Sequence, residues 1–149
     1  MDIKDDIRST RETSYGWMIQ RIAGALDRRM TARLADLDLT LPSFAVLMTV
    51  LEHGPMMQTD IARRYGMPAY AISRALDTLE RLGHVARKAH AASRRAHSIQ
   101  ATAAGRALAP RLRGIVAEVN AELTAPLSDA EQAQFGAILA KLLPDAGDP

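Results

Sequence analysis

Residues 58–83 read QTDIARRYGMPAYAISRALDTLERLG, and this stretch decides the fold. Gly66 and Gly83 each follow an amphipathic run, in the place where a left-handed glycine typically ends a helix. The residues predicted to face inward are Ile61, Ala62, Ile72, Leu76 and Leu79. The stretch therefore predicts two short helices, about 58–65 and 68–82, joined by a glycine-containing turn, which is a helix-turn-helix.

The chain after Gly83 changes from a helical to an alternating period. Residues 85–88 and 97–100 alternate from one side chain to the next, which is typical of strands. Between them, residues 89–95 form a polar stretch that ends in a pair of arginines. The sequence therefore predicts a two-stranded hairpin with a long basic tip.

Two helices are predicted before the helix-turn-helix. Apolar residues recur at helical spacing over 15–34, which predicts a long amphipathic helix. A second helix is predicted over 41–53, because the hydroxyl of Thr40 can cap its first turn. Gly54 and Pro55 then stop it.

Two more helices are predicted after the hairpin. Thr102 can cap the first of them, and Pro110 is expected to bend it or to split it in two. The sequence SDAE at 128–131 is a capping box that opens the last helix. Residues 1–12 and 144–149 are expected to be loose ends.

The order of these elements predicts the fold class. We expect a mainly α protein with a small β-hairpin wing, that is, a winged helix-turn-helix domain flanked by N- and C-terminal dimerisation helices. The chain is expected to be a single domain, 1–149, whose winged helix-turn-helix lobe spans 38–104. The helices within 14–36 and 106–143 carry apolar stripes that one lobe of this size cannot bury, so they are expected to pair two copies. The alternative is a monomer that folds these helices back onto its own core.

Composition and charge narrow the function classes. The 149 residues are 48% hydrophobic and include no cysteine, which excludes thiolate metal sites, disulfide scaffolds and thiol redox switches. The net charge is +2, but residues 54–113 hold eleven Lys and Arg against three acidic residues, a local charge of +8. A block this basic is typical of a polyanion-binding surface, and a solvated basic face is the alternative interpretation.

The sequence predicts neither a membrane association nor a secretory leader. No apolar run reaches the roughly 18 residues that a membrane span requires. The N-terminus, MDIKDD, lacks the charged and then apolar order of a secretory signal. A cytoplasmic location is therefore expected.

Metal and catalytic chemistry find little support in the sequence. The four histidines are His53, His84, His90 and His97, and they form neither an HExxH motif nor an i, i+4 pair. No acidic residue lies between residues 81 and 117 to complete a ligand set. A Ser-His-Asp order at a strand-helix elbow and a glycine-rich phosphate loop are also absent. We expect no metal, no other cofactor and no enzymatic activity.

Four short motifs, taken in order and spacing, resemble the multiple-antibiotic-resistance regulator (MarR) family of bacterial transcription factors. They are LTLP at 39–42, QTDIA at 58–62, ISRALDTLERLG at 72–83 and, after the hairpin, Thr102 followed by GRAL at 105–108. The helix order agrees as well, so the resemblance covers nearly the full length. It implies a DNA-binding regulator.

The helix-turn-helix and the wing predict a set of DNA contacts. A recognition helix inserts its N-terminal half into the major groove, and basic wing tips suit the narrow minor groove. The predicted contact residues are Gln58, Thr59, Pro68, Ala69, Tyr70, Ser73 and Arg74 from the two helices, and Arg94 and Arg95 from the wing. Tyr70 has an alternative interpretation as a core aromatic, and Arg74 as a solvated surface residue.

The chain departs from the family pattern in two places. His90 and Ser93 stand where the wing of the family typically has Asp, so the usual ion pair that braces the second arginine cannot form. Met57 stands where a capping Thr or Ser usually begins the first helix of the helix-turn-helix, which predicts a softer helix start.

The resemblance also implies an effector site between the dimerisation helices and the DNA-binding lobe. The candidate lining residues are Tyr15, Trp17, Met18, Arg21, Phe44, Met48 and Met67. Aromatic and Met side chains with one cation could hold a small aromatic or anionic effector. The alternative is that these residues are ordinary core.

These observations favour a homodimeric transcription factor that binds a palindromic operator on double-stranded DNA, with recognition helices about 34 Å apart. We expect a repressor that a small molecule releases from DNA. The alternative is a winged-helix interaction module whose basic hairpin binds a protein or RNA, without a sequence-specific DNA site.

Overall fold

The computed structural model describes residues 2–90 and 93–144, and for residues 90 and 93–96 the description is limited to the backbone. Within these ranges the chain forms helices and one small sheet. The elements in chain order are α1 (Ile3–Thr13), α2 (Tyr15–Ala35), α3 (Leu41–His53), β1 (Met56–Met57), α4 (Gln58–Tyr65), α5 (Ala69–Arg81), β2 (Val85–His90), β3 (Ser93–Ala101), α6 (Ala103–Thr124) and α7 (Asp129–Leu142). The predicted winged helix-turn-helix fold class is confirmed.

The predicted helix caps are present. The Thr40 hydroxyl accepts a hydrogen bond from the backbone N–H of Ser43 at 3.2 Å, and the Thr102 hydroxyl accepts one from Gly105 at 3.1 Å. Ser128 and Glu131 form the reciprocal capping box at the start of α7. Met57 gives α4 no side-chain cap, as its apolar side chain predicts.

The sheet contains one more strand than the hairpin requires. Its strand order is β1-β3-β2, with both pairs antiparallel. The two-residue strand β1 pairs Met56 with Ile99 and Met57 with Ser98. Strand β1 was not predicted, because it is too short to show a period of its own.

The hairpin strands extend further into the tip than the alternation predicts. Strand β2 runs to His90 and β3 begins at Ser93, with an irregularity in the register between Ala89 and His90. The predicted tip over 89–95 is therefore too long, because residues 89, 90 and 93–95 belong to the strands; residues 91 and 92 lie outside the described ranges. The pairs Ala89 with His97 and His90 with Ser93 extend the ladder into this stretch.

Two other expectations about elements, a loose N-terminal end and a split of the helix at Pro110, are also wrong. Residues 3–13 form helix α1 rather than a loose end, since Asp2 caps it and Asp5 and Asp6 lie favourably in its first turn. Helix α6 runs through Pro110 as one element of 22 residues. Pro110 is exposed, so water can bond to the carbonyl that its missing N–H leaves free.

A single core joins the helix-turn-helix to its neighbours. Its members come mainly from α3, α4, α5 and α6, with one each from α2, β2 and β3, and they include Leu34, Leu47, Val50, Ile61, Ile72, Leu76, Leu79, Val85, Ile99, Leu112 and Ile115. Helices α1 and α7 contribute no buried residue, and α2 contributes only Leu34. The core therefore fixes the helix-turn-helix and the wing relative to each other.

The terminal helices expose large apolar side chains. Those on α1 and α2 are Ile3, Ile7, Tyr15, Ile19 and Ile22, and those on α7 and just after it are Ile138, Leu139, Leu142 and Leu143. No helix in the described part of the chain is both long enough and apolar enough to cross a membrane.

Candidate nucleic-acid interface

Helix α5, the recognition helix, turns one face to the core and the other outward. Gly66 adopts a left-handed φ of 57° that closes α4, and Pro68 enters α5 in an extended conformation. Ile72, Leu76 and Leu79 are fully buried beneath the helix. The outward face therefore begins with the short and polar residues of the first two turns.

The predicted contact residues of α4 and α5 lie on this outward side. Thr59, Pro68, Ala69, Tyr70 and Arg74 are exposed, whereas Gln58 and Ser73 are partly buried. Tyr70 is 69% exposed, which excludes the core position that an aromatic residue at helical spacing often occupies.

The wing arginines fall partly outside the description. Arg94 and Arg95 lie in β3 by their backbone, and their side chains are not among the described residues. The same holds for His90, which belongs to β2. The role of these arginines stays a prediction.

A cavity of about 320 Å³ separates the start of α4 from α5 and the wing. Its lining residues are Met57, Gln58, Thr59, Ala62, Ala69, Ile72 and His97. Three of the predicted contact residues, Gln58, Thr59 and Ala69, thus come together at one opening. His97 was not predicted here, although its place two residues before the buried Ile99 puts it on the same face of β3.

Arg87 on β2 links the wing to the recognition helix. Its guanidinium lies 2.7 Å from the Asp77 carboxylate and 3.6 Å from that of Glu80, and its side chain is only 19% exposed. A signal for this contact existed in the sequence, because Arg87 lies two residues after the apolar Val85 and therefore on the same face of the strand. A charged residue on the core side of a strand requires partners, and Asp77 and Glu80 are the nearest acidic residues in the chain.

The base of the wing is tied to the start of α6. The Thr102 hydroxyl donates to the Gly83 carbonyl at 2.6 Å, and the Thr102 N–H donates to the His84 carbonyl at 3.0 Å. A Cβ atom at Gly105 would lie 2.1 Å from the same His84 carbonyl oxygen. Only glycine therefore lets α6 approach the wing this closely.

Ion pairing leaves the lobe with free positive charge. Asp60 pairs with Arg63, while Asp77 and Glu80 pair with Arg87. The ion pairs found between described residues do not include Arg64, Arg74, Arg81 or Lys88. The outward face of the lobe is consequently basic, as a phosphate-binding surface requires.

The candidate effector residues occupy two kinds of environment. Phe44, Met48 and Met67 pack against the core, and Tyr15 is 81% exposed. Trp17 lies between two guanidinium groups, 5.4 Å from that of Arg11 and 5.0 Å from that of Arg21. Met18 is partly buried in α2. Three cavities among the described residues, including the one beside α4 and α5, have none of these seven residues in their linings.

Over residues 2–90 and 93–144, no three His, Asp or Glu side chains lie close enough together to hold a metal ion.

The chain is similar in sequence to known proteins over most of its length. The sequence profile of the MarR family matches residues 37–96. The HTH-type transcriptional repressor Rv2887 of Mycobacterium tuberculosis is 33% identical over 131 residues, which cover 88% of this chain and 94% of that protein.

Solved structures with the same fold are similar over comparable lengths. Wild-type MarR from E. coli, in its apo form, superimposes with a TM-score of 0.80 at 26% identity, covering 88% of this chain and 97% of that one. Rv2887 in complex with DNA gives a TM-score of 0.79 at 30% identity, with coverages of 89% and 99%. Rv2887 in complex with salicylic acid gives 0.72 at 32% identity, with coverages of 88% and 97%.

Proposed function

The chain belongs to the MarR family, and from this premise we propose that it is a transcriptional repressor that binds a palindromic DNA operator as a homodimer. The observation that carries the proposal is the exposed N-terminal half of α5, where Ala69, Tyr70 and Arg74 face outward beside a basic wing. The relatives named above support it, since one is a repressor and was solved with DNA.

The proposed contacts divide between two grooves and the phosphate backbone. Helix α5 enters the major groove, where Arg74 can make a forked contact to guanine and Tyr70 can touch a base or a phosphate. Gln58 and Thr59 lie at the free N-terminus of α4, which favours a phosphate. Arg94 and Arg95 are assigned to the minor groove.

The homodimer forms, in this proposal, through helices within 14–36 and 106–143, and the lobe 38–104 binds DNA. The large apolar side chains that α2 and α7 expose support this division. A twofold dimer presents two recognition helices to half-sites about 34 Å apart, which is why the operator is expected to be palindromic.

Release by a small aromatic or anionic effector is the regulatory part of the proposal. The structure of Rv2887 with salicylic acid supports this chemistry. Such a ligand acts only through its different affinity for the two spacings of the recognition helices. A regulator of this kind acts on DNA in the cytoplasm, and the proposal includes no catalytic activity.

The binding site can be identified by selection from random DNA, followed by footprinting. Protection of two related half-sites about one helical turn apart supports the repressor. Salt-sensitive binding without sequence preference would favour the alternative, a module for a protein or RNA partner. A thermal-shift measurement with salicylate, together with its effect on DNA affinity, tests the effector.

Arg74→Ala and Arg94→Ala are each expected to weaken binding to the selected operator. A lost forked base contact costs roughly 1–3 kcal/mol, and each lost phosphate contact lowers the slope of log K against log salt by about one. Fluorescence anisotropy at several salt concentrations measures both quantities. Arg8→Ala, at an exposed position of α1 outside the lobe and outside the helices proposed to pair two copies, is the matched control. Unchanged affinity for both test variants contradicts the assignment.

A further inference from the structure

Arg87 contacts one face of the recognition helix at three levels. Its guanidinium lies 2.7 Å from an Asp77 carboxylate oxygen and 3.6 Å from one of Glu80, and it donates to the Ser73 carbonyl at 3.3 Å. Its backbone N–H donates to the Glu80 carboxylate, also at 3.3 Å. These three partners span two turns of α5, so the contacts constrain both the position of β2 along the helix and its rotation about the helix.

The position of β2 in the sheet makes these contacts important. Among the described strands, the order β1-β3-β2 places β2 at an edge of the sheet, with β3 as its one neighbour. Glu80 bonds to an edge N–H of this strand, and the guanidinium fork of Arg87 binds back to the helix. The attachment is therefore a pair of complementary contacts between strand and helix.

The wing has no carboxylate of its own that could brace it. No acidic residue occurs from 81 to 117, so an ion pair within the hairpin cannot hold its arginines. The two carboxylates that Arg87 uses belong to the helix that carries Tyr70 and Arg74. Arg87 thus adds a polar link between the wing and α5 to the apolar contact that Val85 of β2 makes in the shared core.

We propose that Arg87 is a positioning residue, which fixes the wing on the recognition helix and so sets the separation of the two DNA-contacting elements. This role rests on the proposed function, because it concerns the geometry of DNA binding. Arg87 also pairs Asp77 and Glu80, whose free charges would otherwise repel phosphate. Positioning of the wing and neutralisation of the two carboxylates have different consequences for DNA binding, so mutations can separate them.

Arg87→Met on the full chain is the first test, with the operator selected from random DNA as the probe. We expect affinity to fall at least about tenfold, the size of one or two lost charge-assisted hydrogen bonds. Hydroxyl-radical footprints should lose the minor-groove protection that belongs to the wing. Protection of guanine N7 by α5 should persist at saturating protein. Unchanged affinity with an intact wing footprint overturns the proposal.

Lys88→Met is the matched control for the loss of one positive charge. Lys88 is the next residue of the same strand, is exposed, and takes no part in the ion pairs between described residues. We expect it to lower affinity at most through charge, with the footprint pattern unchanged. Loss of the wing footprint in Lys88→Met as well would show that charge alone accounts for the effect.

The double variant Asp77→Asn/Glu80→Gln separates positioning from charge neutralisation. It makes the lobe more positive by two charges, so a purely electrostatic effect predicts tighter DNA binding. Positioning predicts weaker specific binding and a lost wing footprint, with non-specific binding maintained or stronger. Tighter specific binding with the wing protection intact overturns the proposal.

A variant that has lost its fold can be told apart from one that is folded but binds DNA less tightly. Arg87→Lys keeps the charge without the fork and should restore part of the affinity lost in Arg87→Met. Thermal unfolding of each variant shows whether the native fold persists. If Arg87→Met does not fold, Arg87→Lys and Asp77→Asn/Glu80→Gln test the positioning role in its place. If the wild-type chain selects no DNA site, the proposed function fails. If it selects one and the variants match it, only the role of Arg87 fails.

Discussion

Gly105 shows how one missing methyl group sets the junction between the wing and helix α6. A Cβ there would meet the His84 carbonyl oxygen at 2.1 Å, and that oxygen already accepts the Thr102 N–H. Alanine inside a helix normally stabilises it relative to glycine, by roughly 0.5–1 kcal/mol. At this position the clash with a held backbone carbonyl outweighs the gain. We expect Gly105→Ala to lower the free energy of unfolding by about 1–3 kcal/mol, measured by urea denaturation.

Gly114→Ala in the same helix is the control. Nothing lies within 4 Å of a Cβ built at Gly114, so the helix propensity of alanine should act alone. We expect an unfolding free energy equal to or slightly above that of the wild type. If the two substitutions changed the free energy of unfolding equally, the close approach of Gly105 to His84 would contribute nothing to stability.

Among the helices and strands, the sequence predicts those features whose interacting groups lie within a few residues of each other. The caps at Thr40, Thr102 and Ser128 were predictable, because a side-chain oxygen and the helix start that it caps lie within four residues. Strand β1 was not predictable, since its two residues become a strand only by pairing with β3. Helix α1 was missed because Ile3 and Ile7 are its only apolar residues, too few to show a helical period in the sequence.

The candidate site likewise has one part that the sequence predicts and one part that it does not. The exposed face of α5 follows from the spacing of Ile72, Leu76 and Leu79, which fixes the opposite side. Arg87 was missed because its partners lie in another element, and spacing within β2 does not identify them. Its charge on the apolar side of a strand was nevertheless a usable signal.

Helix α7 carries a pH-dependent cap. The Glu131 carboxylate accepts the Ser128 N–H at 3.0 Å, and this backbone bond, aided by the Ser128 side chain, lowers the pKa of Glu131 below its usual value of 4.5. A lowered pKa in the folded state means that the stabilisation is present above the unfolded pKa. It is lost as the pH falls through the folded pKa. We therefore expect the stability difference between wild type and Glu131→Gln to shrink as the pH is lowered below about 4.

NMR titration of the Glu131 carboxyl carbon measures the shift directly. Ser128→Ala removes the side-chain half of the capping box and is expected to move the pKa of Glu131 upward toward its ordinary value. Identical titration curves in wild type and Ser128→Ala would contradict a contribution of the Ser128 side chain.

Positive charge and exposed apolar side chains lie in different parts of the subunit. Residues 54–113 carry a charge of +8, whereas residues 114–149 carry −5 and residues 1–53 carry −1. The exposed apolar side chains of the described residues are concentrated outside the basic block, on α1, α2, α7 and the residue after α7. A basic region suits DNA, and an apolar region with little positive charge suits a second copy of the chain. The two proposed interfaces therefore occupy different parts of one subunit.

Charges placed on α7 test whether pairing of two copies is required for operator binding. Ile138 and Leu142 are 56% and 67% exposed in the single chain. If they are buried between two copies, Ile138→Glu/Leu142→Glu leaves unpaired charges in an apolar interface, at a cost of several kcal/mol. We expect the dimer dissociation constant to rise by at least about 100-fold, measured by sedimentation equilibrium. Affinity for the full palindrome should fall with it, because each monomer then contacts a single half-site.

Gln134→Glu supplies the control for this experiment, since it adds a negative charge at an exposed polar position of the same helix. It should leave both the dimer and operator binding unchanged. A double variant that stays dimeric at micromolar concentration would place the pairing surface elsewhere. A monomeric variant that binds the whole palindrome as tightly as the wild type would separate dimer formation from DNA recognition. In that case one subunit alone, with its recognition helix and wing, would account for the affinity.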